Sequence, residues 1–464
     1  MSKNGAETEQ GMRGKKTAAF LLFIGLFWMY GCGSPSSGFE EYTEAAETIS
    51  GTGAETEEET GSEAGTGTEE ETGSEAGTGT EEETGSEAGT ETETEEKPEL
   101  VYEGSMELRY AENFTVDYYG GGYILLTTVM DGTRFLIVPE GKEAPQDWDL
   151  KIQHEGIKGG GIQEQKSVVL QRPVKDIYLV ASSAMDLFSE LEGLDAISFS
   201  GQKEEGWYIE DAKEAMAKGE ILYAGKYNKP DYELLVAENC MLAIENRMIS
   251  HAPEVIEKLE EFGIPVMTEY SSYEPHPLGR VEWVKFYGAL LGKETKAEQI
   301  FAQQAAILDK VSASEQTDKT VAFFFVTSNG LIQVRQSSDY VPKMIELAGG
   351  RYIFDNLGDP ETKRSTMNMQ VEEFYAGAKD ADFLIYNSSI DGGVSSVGEL
   401  VDKCGVLADF KAVQNGDVWC TTNDMYQQSL SIGYLIEDIH AMLQGENGQM
   451  HYLFHVENTD TIEK

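Results

Sequence analysis

Apolar and polar positions divide the chain into three regimes. The first is an unbroken apolar run from Ala18 to Tyr30, which follows Arg13, Lys15 and Lys16 and is too short to span a bilayer. The second, Gly33 to Lys97, carries no apolar period. The third begins near Val101 and alternates short apolar runs with stretches at helical spacing, the pattern of an α/β protein rather than of a sandwich or a bundle. Its opening, to Pro139, reads as β-rich, with Tyr123–Thr128 and Phe135–Val138 flanking the hairpin signal Asp131-Gly132. Asp176–Ala181 then reads as a strand entering a helix capped at Ser182 and Ser183, along which Met185, Leu187, Phe188 and Leu191 share a face. Met241–Ile244, a helix over Pro253–Phe262 and a strand at Ile264–Met267 repeat the theme. From Gly279 to about Ser312 the spacing predicts some thirty residues of helix, with a break point at Gly292. A second series follows: a strand at Val321–Val326, a helix at Tyr340–Leu347 ended by Gly349-Gly350, then strands at Phe383–Tyr386 and Val418–Cys420.

The N-terminal run has a function of its own. A basic flank, a short apolar core and a small residue before the break make a secretory signal, which places the protein outside the cytoplasm. Gly31-Cys32 resembles the lipobox of bacterial lipoproteins, whose cysteine is lipidated, although Met29 stands where that pattern usually has Leu. The alternative is an ordinary signal peptide with an incidental cysteine. Gly33 to Lys97 holds 21 Glu and one Lys, and a twelve-residue unit recurs at Gly61, Gly73 and Gly85. Such a composition cannot bury enough apolar surface to offset its chain entropy, so it reads as an extended, disordered tether.

Charge narrows the partners. The formal net charge is −48, of which the tether takes −20 while residues 1 to 32 contribute +2, leaving −30 on the body. An acidic body argues against nucleic acid and offers no polybasic patch to anionic lipid, so membrane association rests on Cys32. A body of this length exceeds what one core usually serves, which predicts two lobes. Beyond Cys32 only Cys240, Cys404 and Cys420 remain; Cys404 and Cys420 pair, or all three are buried thiols. The six His are scattered, so no metal site is expected, and no Gly-x-Ser-x-Gly elbow, His-Glu-x-x-His or phosphate loop argues for an enzyme.

Four segments carry a resemblance. Glu274–Lys285 with Gly292-Lys293-Glu294, Tyr340–Gly350, Ala378–Tyr386 and Lys411–Trp419 together resemble substrate-binding proteins of iron-complex and vitamin B12 ABC importers, over roughly residues 165 to 445. The resemblance implies two Rossmann-like lobes joined by one long backbone helix, behind the tether. The divisions are then 1–32 signal peptide, 33–98 tether, 99–278 first lobe with its β-rich start, 279–313 backbone helix and 314–464 second lobe. It further implies a lipid-anchored receptor, monomeric and not an enzyme, on the outer face of the cytoplasmic membrane. Its cargo would be a ferric siderophore, haem or cobalamin, delivered to a membrane permease. A tethered module for a protein or glycan partner, or a metal-ion receptor, is the competing expectation.

In this family an acidic residue on each lobe meets the permease. The matching turn of the first lobe supplies Glu254; on the second the position falls near Gln427, Gln428 and Ser429, with Asp424 or Glu437 as substitutes. For the cleft, the ends of the predicted strands supply Ser182, Ser183, Lys226, Tyr227, Glu245, Asn246, Tyr270 and Tyr273 from the first lobe. The second supplies Arg335, Tyr340, Asn387 and Tyr426. Tyrosines offer flat apolar area with a polar tip, and Arg335 suits an anionic group. Trp207 and Tyr208 are placed in a loop at the mouth.

Overall fold

The computed structural model describes residues 100–149, 166–358, 365–446, 448 and 450–457; the signal, Cys32 and the tether lie outside them. Three sheets follow one another along the chain. The first runs β1 (Tyr102–Ser105), β2 (Phe114–Tyr119), β3 (Tyr123–Thr128), β4 (Arg134–Val138) and β5 (Ser167–Gln171), in that spatial order. β3 and β4 form the hairpin expected at Asp131-Gly132. Asp131 Oδ1 accepts from Thr128 Oγ1 and the Thr133 amide, closing the turn. β5 joins in parallel beside β4, so the β-rich start is a sheet separate from that of the first lobe.

The first lobe contains β6 (Ile177–Leu179), α1 (Ser182–Glu190), β7 (Ile197–Ser200), α2 (Glu210–Ala217) and β8 (Leu222–Tyr223). It continues with the short ladder β9 (Gly225–Lys226) and β10 (Lys229–Pro230), then α3 (Tyr232–Ala237), β11 (Leu242–Asn246), α4 (Pro253–Glu261) and β12 (Val266–Glu269). Its parallel sheet has the order β12-β11-β6-β7-β8. The chain therefore winds outward in both directions from β6 and β11, which places the topological switch point between them.

Two helices follow, α5 (Pro277–Leu291) and α6 (Glu294–Ser312). The expected backbone helix is thus not one rod. Gly292 takes φ +74° and ends α5, and the chain folds back so that α6 packs along α5. The close approach sits at Gly288, where a Cβ would lie 2.5 Å from that of Ala297.

The second lobe carries β13 (Thr320–Val326), β14 (Ile332–Arg335), α7 (Tyr340–Leu347), β15 (Arg351–Tyr352), β16 (Thr366–Met369), α8 (Val371–Ala378) and β17 (Phe383–Tyr386). After them come α9 (Val397–Lys403), α10 (Lys411–Asn415), β18 (Val418–Thr421), α11 (Ile432–Gln444) and β19 (Leu453–His455). The sheet order is β16-β14-β13-β17-β18-β19, with β15 beside β13; β13, β17 and β18 are parallel and β14 and β19 are antiparallel to them. Alternate residues of each strand feed opposite faces. Phe323 and Ile385 enter a central core that also holds Phe135 of the first sheet, Ile177 and Phe188 of the first lobe, Trp283 of α5 and Ile436 of α11. Phe324 and Leu384 enter a separate outer core. One apolar core therefore runs through both lobes and the helices between them. Among the described residues Cys240, Cys404 and Cys420 are buried and free, so Cys404 and Cys420 do not pair.

Candidate ligand site between the lobes

α5 is apolar on nearly every side, as expected of a helix with no solvent face. Arg280, Glu282 and Lys285 interrupt it and are buried, and buried charge requires partners. Glu282 accepts the backbone amides of Arg109, Tyr110 and Ala111 and pairs with Lys285. Arg280, in the first turn, lays its guanidinium over the ring of Tyr340, 4.0 Å from the centroid, with Nη2 3.5 Å from Ser272 Oγ. Its Nε has no hydrogen-bond partner among the described residues. Tyr340 opens α7 in the second lobe, so this contact crosses the junction.

A second guanidinium lies on the other wall. Arg335, at the end of β14, sits 5.1 Å from the ring centroid of Tyr426 and 5.8 Å from that of Phe323, with Asp339 Oδ2 3.6 Å from Nη1. Asn387, after β17, donates from Nδ2 to Tyr426 Oη at 3.0 Å. Arg335, Tyr426 and Asn387 thus share one wall, and Tyr340 joins it to the first lobe through Arg280.

On the facing rim, Glu269 ends β12 and gathers the loop after it. Oε1 accepts from the Ser271 amide at 2.7 Å and Oε2 from Ser183 Oγ at 3.0 Å. Burial pushes the Glu269 carboxyl above the ordinary carboxylate range, against the pull of Ser271, Ser183 and nearby Arg280. Ser182 and Ser183 lie inside the first turn of α1 and Ala181 takes the cap position, so neither serine caps the helix. Tyr273 lies under the Arg247 guanidinium at 4.7 Å, and Tyr270 donates to Asp131 Oδ2 of the first sheet at 3.2 Å. Burial raises the Tyr270 phenol to about 12. Asn246 Oδ1 accepts the Met248 amide and so shapes the turn after β11.

Other expected residues stand apart. Glu245 is wholly buried, and neither carboxylate oxygen has a hydrogen-bond partner among the described residues. Alternation places Ile244 in the central core and turns its neighbours Ala243 and Glu245 to the opposite face, where Ala243 packs beside Tyr178. Burial holds the Glu245 pKa well above the ordinary range. Lys226 belongs to the β9–β10 ladder, and Tyr227 packs against the first lobe's outer core. Trp207 is buried and donates to Ser200 Oγ; only Tyr208 reaches solvent.

The second-lobe docking position is likewise not an exposed turn. Gln427 is buried across the junction, accepting the Tyr208 amide and donating to the Gly206 carbonyl, each at 2.8 Å. Ser429 is buried too, and the next amide, Leu430, donates to Asp186 Oδ2 of α1 at 2.8 Å. Of the substitutes, Glu437 pairs with Lys310 and Asp424 accepts from Gln428. Glu254 is exposed in the first turn of α4.

Sequence reasoning missed Arg280, Asp186 and Gln427 as groups joining the lobes. For Arg280 a signal existed, a cation inside an otherwise apolar helix. A cavity of about 260 Å³ lies at the junction, lined by Ser272, Tyr273 and Glu274 of the first lobe, Ser338, Asp339 and Tyr340 of the second, and Glu112 and Asn113 of the loop between β1 and β2. Two larger hollows, about 590 and 550 Å³, share Lys319 and Asp382. Those residues precede β13 and β17, so the hollows open at the amino ends of the strands, away from the end where α/β sheets hold ligand. Among the described residues no group of three or more His, Cys, Asp or Glu is placed to hold a metal ion.

No family model matches the chain. It is 25% identical over 350 residues to the uncharacterized lipoprotein MJ0878 of Methanocaldococcus jannaschii, covering 73% of this chain and 82% of the relative. It is 27% identical over 364 residues to MJ0872, another uncharacterized lipoprotein of that organism, covering 75% and 86%. Its neighbours among solved structures are periplasmic binding proteins. They include the periplasmic heme binding protein HutB of Vibrio cholerae (14% identity, TM-score 0.47, 57% of this chain and 98% of that one). Another is a possible iron-binding periplasmic solute-binding protein of Staphylococcus epidermidis (17% identity, TM-score 0.45, 57% and 97%).

Proposed function

We propose that this chain is a lipid-anchored, extracytoplasmic substrate-binding protein of an ABC importer. It captures an iron complex, ferric siderophore or haem, or a corrinoid between its lobes and delivers it to a permease in the cytoplasmic membrane. The observation that carries this reading is the junction itself. Two α/β lobes share a site where two buried arginines, Arg280 and Arg335, each lie on a tyrosine, and Asn387 orients one of those tyrosines. Flat aromatic area with fixed cations suits a macrocycle with carboxylate arms or an anionic ferric chelate. Cys32 would carry the lipid, in keeping with two relatives named lipoproteins, and Glu254 would meet the permease. No catalytic step is assigned to any residue.

The test is a thermal-shift titration of the full-length protein, extracted in detergent, with haemin, cyanocobalamin and ferric desferrioxamine B. A probe present at a hundred times its Kd should stabilise the native state by about 2.7 kcal/mol. A rise in melting temperature with one of the three names the cargo class; no rise with any of them overturns the assignment.

A further inference from the structure

We infer that the first sheet is a third wall of the cargo site, and that Glu112 and Asn113 of its β1–β2 loop read a hydrogen-bond-donating arm of the cargo; this rests on the capture reading above. The sheet is not loosely appended. Five consecutive backbone amides, Arg109 to Asn113, donate to two buried carboxylates beside the junction. Glu282 accepts the amides of Arg109, Tyr110 and Ala111 at 2.7 to 2.9 Å, and Glu274 accepts those of Glu112 and Asn113 at 2.8 and 3.0 Å. Trp283 Nε1 also donates to Glu274, and the Tyr110 ring stacks on His276, the cap residue of α5, at 4.2 Å. The loop that carries Glu112 and Asn113 is thereby registered against the same helix that presents Arg280.

The cavity that this registration creates is polar. Glu112 and Asp339 contribute carboxylates, and Ser272, Ser338 and Ser365 contribute hydroxyls. The carboxylates can only accept when ionised, whereas the hydroxyls either donate or accept. Arg280, only 6% exposed and touching Ser272 and Tyr340, is the nearby cation, with one N–H unpartnered among the described residues. A polar cavity at a three-way junction is not an apolar void that stays dry; it holds water or a polar group. Its volume of about 260 Å³ is below the roughly 300 to 1,000 Å³ of a site that encloses a whole small molecule. It accordingly takes one arm of a larger cargo, an amide, amine or hydroxyl that donates to Glu112, since Asp339 already accepts the Val341 amide and faces Arg335, while the bulk of the cargo meets Tyr340 and Tyr426.

Glu112 is exposed, and the clamp runs through its backbone amide, so its side chain can be replaced without opening the clamp. The experiment titrates the full-length protein, in detergent, with haemin, cyanocobalamin and ferric desferrioxamine B, comparing wild type with Glu112→Ala, Glu112→Lys and the Glu112→Ala/Asn113→Ala double variant. For the probe that binds wild type, the double variant should bind at least tenfold more weakly, with the melting temperature of the unliganded protein unchanged. Glu112→Lys should cost more than Glu112→Ala, because it sets a donor against a donor. Unchanged affinity in the double variant overturns the wall and leaves the capture reading standing. Tighter binding by Glu112→Lys overturns the donor-arm assignment. Failure of wild type to bind all three probes overturns the capture reading, and the wall with it.

Discussion

Among the described residues Asp186 accepts one hydrogen bond, from the Leu430 amide of the opposite lobe, and Glu190 and Asp424 add negative charge around it. Burial pushes its pKa up from 3.8 to about 7, more than the Leu430 bond can hold it down. Between those two values the folded chain keeps a proton that the unfolded chain has released. Native Asp186 therefore binds more protons than unfolded Asp186, and its contribution to stability falls as pH rises through that window, at up to about 1.4 kcal/mol per pH unit. Asn cannot ionise, yet its amide oxygen can still accept from Leu430. Asp186→Asn should then flatten the loss of stability between pH 4 and 7 and leave the variant more stable than wild type at pH 8. Urea unfolding of both proteins at pH 5 and pH 8 measures this, and equal slopes would show that Asp186 does not titrate in that range. Glu245 and Glu269 are raised as well, so the readout is the difference between the two proteins rather than either profile alone.

At the scale of elements, the pairing of α5 with α6 depends on one missing side chain. Gly to Ala inside a helix ordinarily stabilises by up to about 1 kcal/mol. At Gly288 the added carbon would meet Ala297 Cβ at 2.5 Å, and overpacking of that kind costs about 1 to 3 kcal/mol, so the collision wins. Gly288→Ala should be destabilising, and adding Ala297→Gly should recover most of the loss. A stabilised single variant in chemical denaturation would rule out this packing. Much of the element order could be read in the sequence because its signals are local: Asp131-Gly132 for the hairpin, Gly292 for the break after α5, and apolar runs of strand length before each helix. The direction of the chain after Gly292 could not be read, since it depends on which small residues meet across 288 and 297. In the candidate site, Arg335 and Asn387, expected at strand ends, both meet Tyr426, whereas Arg280 finds Tyr340 sixty positions away. Glu245 shows the limit most sharply, because a one-residue step along β11 moves a side chain from one face of the sheet to the other.

For the whole molecule, the proposed capture and delivery are separable if they use different surfaces. Arg280, Arg335, Tyr340, Asn387 and Tyr426, the residues proposed to meet cargo, are buried or half-buried at the junction, beside a core shared by both lobes and the helices between them. Because that core is continuous, large opening of the lobes would expose apolar area at roughly 25 cal/mol per Å², which favours small adjustments over wide closure. Glu254 belongs to a different layer. It sits in the first turn of α4, whose buried residues Val255 and Leu259 join the first lobe's outer core, and it faces solvent. A carboxylate there is favoured by the helix dipole by only about 0.3 to 1 kcal/mol, so its removal should leave fold and junction intact. Glu254→Ala is therefore expected to bind cargo with wild-type affinity while cells that depend on this protein take up cargo more slowly. Binding measured on the purified protein and uptake measured in cells give the two numbers independently. Equal losses in both would place Glu254 in the binding site or the fold, and unchanged uptake would remove it from the permease contact.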